Sequence, residues 1–328
     1  MTKLSTPLPT NLPENWTYGQ IIAPTGQEVG LPANYGYNYL MNQVNNAQKA
    51  ALELERKKAE LDMGNLESPS TALYNLGAKP SENLLDNWYF VGGGKDGQFP
   101  INQRGQEKYA IPYGYTFDRW NNSSQTEHVF LQTNGVYTEG GIRQIHEDWQ
   151  EASWAGKTMT ASALFLDSLY SCTFSYPEAA NTGGVFSSDG VIAIGRIYNY
   201  GWSKPTFGIM FDHIVDGKSK TLLAAKLEFG KTQSLARKTE TGWELLETPL
   251  YTNELLKCMR FYQKSRIAYT IINEECQNIH LFPMRTTPTI ITNQNQISID
   301  YVTNTSFRVK NKTTPYTTDY NWEASAEL

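Results

Sequence analysis

From Asn83 to the carboxyl end, short runs rich in Val, Ile, Thr and aromatic residues alternate with clusters of Gly, Pro, Asn and Asp. This alternation limits the possible folds more than any other feature of the chain. The runs include "KTMTASALFL", "DGVIAIGRIY", "TFGIMF", "TLLAAKLEF", "SRIAYTII", "TPTIIT", "QISIDYV", "SFRVK" and "NWEASAEL". Each has strand composition and is bounded by turn residues. So many strands without intervening helices predict a mainly β fold, a two-sheet β-sandwich of jelly-roll type over 83–328. One segment departs from the pattern: in "TNELLKCMRFYQ", Leu255, Leu256, Met259 and Tyr262 recur at helical spacing.

The amino-terminal part reads differently. Pro7, Pro9, Pro13 and Pro24 disfavour regular structure, so 1–30 is expected to be an extended arm. The stretch "LPANYGYNYLMNQVNNAQKAALELERKKAELDMG" has no proline after Pro32 and stops at Gly64, which predicts a helix over 31–64. Its apolar positions Tyr37, Leu40, Val44, Ala47, Ala51, Leu54 and Leu61 alternate by fours and threes, with Lys58 the one polar intruder. That stripe is too narrow for a globular core and fits a coiled-coil seam against another copy of the chain. Homo-oligomerisation is therefore expected, with a trimer favoured because elongated β-proteins entered through a helix are frequently trimeric. The alternative is a helix lying across its own β-domain. Residues 65–82, broken by Pro69, Gly77 and Pro80, read as a linker.

Composition narrows the function classes. The net charge is −5 and Lys and Arg form no long run, so nucleic acid is not an expected partner. No stretch is long and apolar enough to span a bilayer, and "MTKLSTPLPTNLPENW" lacks the apolar segment of a secretion signal, which points to synthesis in the cytoplasm. Cys172, Cys258 and Cys276 lack the spacing of a zinc site or a redox dithiol and read as small core residues. Neither a cofactor nor a metal is expected: "DSLY", "SSDG" and "HIVDGK" each hold a single acid, too few oxygens for calcium.

Trp88, Arg104, Asp118, Arg119 and Trp120 crowd into the span 83–120. A partly buried Arg119 needs a planar acceptor, which Asp86 or Asp118 could supply, and Arg104 is placed to close the same network. Strand alternation would send Phe117 and Arg119 to one face, Asp118 and Trp120 to the other. The expected role is to staple the first strands together, with ligand contact by Arg104, Asp118 and Trp120 as the rival.

Catalysis finds little support. Glu147, Asp148, Glu151 and Asp167 show no spacing that singles out a glycosidase pair, and His128, His146, His213 and His280 accompany no nucleophile motif. The chain is expected not to be an enzyme. Sugar binding asks less of a sequence: exposed rings beside polar groups suffice. In "RIYNYGWSKP", Tyr198, Tyr200 and Trp202 recur every second residue, so one strand face would carry three rings or bury them in the core. Trp149, Trp154 and Trp243 are further candidates in loop-like contexts.

Some of these segments look familiar as sequence. "PENWTYGQIIAPTGQEVGLPANYGYNYLMNQVNNAQKAA" resembles the attachment segment of tail-associated proteins in phages and prophages of Gram-positive bacteria. "NLLDNWYF", "INQRG" and "YTFDRW" resemble the opening of a module recurring in tail-fibre, baseplate-appendage and receptor-binding proteins. "NELLKCMRFYQKS" and "FPMRTTPTIIT" are similar to its second pair of hallmarks, and "WEASAEL" to its closing strand. "GGIRQIHED" followed by "WAGKTMTASALFL" also resembles jelly-roll carbohydrate-binding modules, while "VGGGKDGQFP" departs from the usual pattern as an inserted surface loop. The resemblance implies a virion component, in a tail or appendage, that contacts other tail or baseplate proteins through 1–64 and meets a host cell-surface glycan. Its rivals are a purely architectural module and a surface-polysaccharide depolymerase.

Overall fold

The computed structural model describes residues 21–22, 28–29, 49, 79–125, 127–177, 183–198, 201–271, 276–293, 297–311 and 316–328. The chain divides into two compact units, Met1–Glu67 and Ser68–Leu328. In the first, β1 (Ile21–Ile22) pairs antiparallel with β2 (Glu28–Val29), and Lys49 is helical. The seam positions Tyr37, Leu40, Val44, Ala47, Ala51, Leu54 and Leu61 lie outside the described residues.

The second unit is mainly β. Its first strands are β3 (Lys108–Tyr109), β4 (Trp120–Asn122), β5 (Val129–Gln132), β6 (Gly135–Thr138) and β7 (Gly141–Ile145). Helix α1 (Asp148–Trp154) then leads into β8 (Thr158–Phe165), β9 (Leu169–Ser175), β10 (Val185–Phe186), β11 (Ile192–Gly195), β12 (Thr206–Met210) and β13 (Thr221–Phe229). Five of these form an antiparallel sheet ordered β10-β11-β12-β7-β4, and six form another, ordered β3-β5-β6-β13-β8-β9. Ile142, Ile192 and Ile209 from the first sheet and Ala163, Phe165 and Leu227 from the second share one buried cluster with Phe90, Phe117 and Trp120. Burying each of the larger side chains is worth about 1.5–3 kcal/mol, so this joint face is what holds the sheets together.

A hairpin of β14 (Ala236–Thr239) and β15 (Gly242–Leu245) and helix α2 (Tyr251–Met259) follow. The chain closes with β16 (Tyr262–Ile271), β17 (Cys276–His280), β18 (Thr289–Thr292), β19 (Ile297–Asp300), β20 (Ser306–Asn311) and β21 (Tyr316–Ser325). These last strands make two three-stranded sheets, β16-β21-β18 and β17-β20-β19, around a separate cluster that includes Phe307, Val309, Trp322 and Met284. Where the sequence suggested one sandwich over 83–328, two sets of sheets with two cores therefore stand in series.

The opening segment 83–90 serves the first core. Leu84 and Phe90 donate backbone N–H groups to Leu227 and Leu223, and Trp88 accepts from Ala225, so the segment runs beside β13 as an irregular extra strand. "VGGGKDGQFP" is turn-rich, with Lys95, Asp96, Gly97 and Gln98 exposed. Gly92 bonds the Thr133 carbonyl at 3.0 Å with φ 136°, and a Cβ there would sit 2.7 Å from the Phe99 oxygen. Only glycine fits that approach.

Candidate functional site

The motifs that are far apart in sequence meet in one buried polar cluster. Asn87, held in the left-handed region at φ 52°, is its hub. Its Nδ2 donates to the carbonyls of Ile101 (2.9 Å) and Asp118 (2.8 Å), its Oδ1 accepts from Ile101 N (2.7 Å), and its carbonyl accepts from Trp120 Nε1 (2.9 Å). Its N–H reaches Glu254 Oε2 on α2 at 2.7 Å. Every hydrogen-bonding group of this buried residue is thereby used, which is what lets a strained asparagine persist there.

Around the hub runs a charge network. Arg119, 1% exposed, donates Nε to Asp86 at 3.0 Å and Nη2 to the Ile145 carbonyl at 2.9 Å, and lies 3.5 Å over the Phe261 ring. Arg104 bridges Asp118 Oδ1 and Glu327 Oε1, each at 3.1 Å, and lies 3.8 Å over the Tyr262 ring. Gln103 Nε2 donates to both Asp118 Oδ2 (2.7 Å) and the Tyr262 carbonyl (2.8 Å). Burial pushes the Asp118 carboxyl up to about 7 against the opposing pull of Arg104 and Gln103. Beyond this, Ala326 N bonds the Phe261 carbonyl at 2.7 Å, and Arg285 reaches the Ala326 carbonyl and Glu147. The cluster therefore joins the opening segment, the 101–120 turns, α2 and the last strand.

Arg104, Asp118, Arg119 and Trp120 are brought together in this one network, which reaches beyond the first strands. Two details differ from the sequence reading. Residues 117–119 form a turn with Arg119 at φ 71°, so strand alternation does not apply, and Trp88 belongs to the apolar core at 3% exposure. Asn87, Gln103, Glu254, Phe261 and Glu327 were not singled out. All five sit inside motifs already quoted, but nothing local marks them as partners.

The acids considered for hydrolysis are engaged elsewhere. Arg196 Nη2 binds Asp148 and Glu151, each at 2.7 Å, and hydrogen bonding to Glu151 holds that guanidinium above its usual value. Glu147 faces Arg285 at 3.3 Å and Arg260 at 3.5 Å. Asp167 accepts from Ser219 N and Ser168 Oγ. Among the described residues no group of three or more His, Cys, Asp or Glu is arranged to hold a metal, and no helix is long and apolar enough to cross a membrane.

The aromatic row takes a different form from the one expected. β11 ends at Gly195 and β12 begins at Thr206, and none of the described residues in the connecting loop, 196–198 and 201–205, is in a strand. Gly201, at φ 72°, bonds the Tyr198 carbonyl, and Trp202 N returns to the Ile197 carbonyl at 3.1 Å, which breaks the two-residue period. Trp202 is buried at 3%, packed with Ala193, Ile197 and Met210, whereas Tyr198 is 66% exposed; Tyr200 lies outside the described residues. Trp154 is buried at the end of α1, edge-on to His146 (4.9 Å) and Tyr176 (5.6 Å), and is no surface ring. Trp149, one turn earlier, is 61% exposed. Trp243, on β15, is partly buried against the main core. Arg196 ties the loop to α1, because it also donates to the Ser203 carbonyl at 2.6 Å. The exposed rings Trp149 and Tyr198 thus lie on two segments clipped together by one arginine. Compared with protein families, with curated proteins and with solved structures, the chain matches none.

Proposed function

We propose that this chain is a structural component of a phage tail or tail-like particle that binds a host cell-surface glycan without cleaving it. In this reading residues 1–64 anchor the chain to other tail or baseplate proteins and bring copies together through the seam, and the two larger sheets form a jelly-roll sandwich displayed outward. The motif resemblances support the particle assignment. The single observation that carries the binding half is the pair of exposed rings, Trp149 and Tyr198, on segments fixed to each other by Arg196. Exposed rings on rigid supports suit the apolar face of a sugar and lose little entropy on binding. Support for binding over hydrolysis comes from the acids near these rings: Asp148 and Glu151 are both paired with Arg196.

The test is a glycan array with the full chain beside Trp149→Ala and Tyr198→Ala. Selective binding by the wild type, weakened about tenfold or more in either variant, is the expected result. Equal binding by all three proteins removes the platform. A wild-type chain that binds no glycan favours the architectural reading, in which the bracing of the last strand onto the opening segment is the domain's purpose.

A further inference from the structure

The outer face of the five-stranded sheet carries a second constellation. Register places Ala193, Gly208, Arg143 and Asn121 side by side across β11, β12, β7 and β4, and a bridge from Asn121 to Tyr115 continues the row. The neighbouring row Ile192, Ile209 and Ile142 points into the core, so the pleat turns this one outward. Trp202 covers the Ala193–Gly208 end, and the Arg143 guanidinium follows, 5.7 Å from the Trp202 ring.

Arg143 differs from the other arginines near it. Arg104, Arg119 and Arg196 each face carboxylates, but Arg143 makes no ion pair with a described residue, and its one side-chain bond is Nε to Asn121 Oδ1 at 3.1 Å. The charged or titratable groups acting on it are the phenols of Tyr115 and Tyr113, and burial holds its guanidinium below the usual arginine value. A half-buried cation without a counter-ion is costly, and the cost falls when an anion arrives. Asn121 links this group to an exposed ring: its Nδ2 donates to the Tyr113 carbonyl at 2.8 Å. Tyr113 is 49% exposed and is held at φ 50°, a left-handed conformation that a bulky residue rarely adopts.

We propose that Arg143, Asn121 and Tyr113 form a binding site for a sugar bearing an acidic group, carboxylate or phosphate. The planar guanidinium takes the oxyanion in its two Nη donors, which bond no described residue, and the Tyr113 ring takes the sugar face. Asn121 is a positioning residue that orients both. The sugar half rests on the glycan-binding reading above; the oxyanion half stands on Arg143 itself.

Titration calorimetry of the full chain with a glucuronate oligosaccharide, glucose 6-phosphate and the neutral parent sugars tests the site. Acidic ligands should bind about tenfold tighter than neutral ones, with an advantage that shrinks as salt rises. Arg143→Gln should abolish that preference, Arg143→Lys retain part of it, and Tyr113→Ala weaken both acidic and neutral binding. Stronger binding of the glucuronate or of the phosphate identifies the oxyanion source. If Arg143→Gln unfolds, the surface variant Tyr113→Ala and the salt dependence carry the test. Acidic binding that survives Arg143→Gln, or neutral sugars bound equally well, overturns this site and leaves the Trp149–Tyr198 platform standing. Absence of binding to any sugar overturns both.

Discussion

Arg119 Nη1 lies 3.5 Å from Glu327 Oε2, and neither atom has another hydrogen-bond partner among the described residues. A guanidinium 1% exposed and a carboxylate 5% exposed are thus joined mainly by charge, between the opening turns and the last residues of the chain. The other Glu327 oxygen holds Arg104 at 3.1 Å, so one carboxylate serves two buried cations.

Removing one member of such a set leaves uncompensated charge inside the protein, at about 3–5 kcal/mol. Glu327→Gln keeps the shape and discards the charge. It should lower the urea-unfolding free energy by roughly 3 kcal/mol, near the low end of that range, because the amide can still accept from one arginine. A loss below about 0.5 kcal/mol, the size of an ordinary surface substitution, would mean that the closing strand does not brace the opening motifs.

Two buried groups give stability opposing pH slopes. Asp118 has its folded value raised from the ordinary 3.8 to about 7 by burial, so its contribution is full below the unfolded value and is lost as pH rises through 7. His146, buried against Trp154, has its value lowered from 6.5 to about 3, again by burial and then by the charge of Arg119. Its contribution is full above 6.5 and is lost as pH falls towards 3. Between about pH 4 and 6.5 the slopes offset each other, each approaching about 1.4 kcal/mol per pH unit. Asp118→Asn should therefore become more stable relative to wild type as pH rises across that window, and His146→Phe less. Urea midpoints at three pH values decide it, and three parallel curves would show that neither group titrates on folding.

The strands and the staple show where local sequence carries enough information. "TLLAAKLEF" coincides with β13, and of "TNELLKCMRFYQ" the part up to Met259 is helical in α2 while Tyr262 already opens β16; composition, spacing and turn residues agree where the match holds. Arg104, Asp118 and Arg119 were legible as a network because buried guanidinium groups require nearby acceptors. Glu327 was not, because a partner that distant in sequence leaves no local trace. The same blindness hid the second core: strands around Phe307 and Trp322 have the composition of those around Phe165, and nothing along the chain says which faces will meet. The ring row failed for a different reason. One left-handed glycine, Gly201, turns the chain and sends Trp202 inward and Tyr198 outward.

The seam from Tyr37 to Leu61 makes a prediction about assembly that needs only the heptad pattern. Charged residues at two core positions should break a helix-mediated oligomer, since each would bury an unpaired carboxylate. The full chain should sediment as an oligomer, and a Leu40→Asp, Leu54→Asp double variant as a monomer with an unchanged thermal transition for the β unit. A wild-type chain that is monomeric at micromolar concentration removes self-association from the proposal.

Gly208 tests whether Trp202 is truly a covering residue. A Cβ at position 208 would lie 2.3 Å from the Trp202 ring, closer than real atoms approach, and the ring, seated on the 196–205 loop, has more freedom to move than the strand beneath it. Gly208→Ala should therefore lift the indole, expose the Ala193–Met210 cluster and cost about 1–3 kcal/mol, as overpacking does. Subtracting the fluorescence of Trp202→Phe proteins with and without Gly208→Ala isolates this indole from the other tryptophans. A red shift of the isolated signal is expected. Were the indole already in water, the alanine would find empty space, and neither the spectrum nor the stability would change.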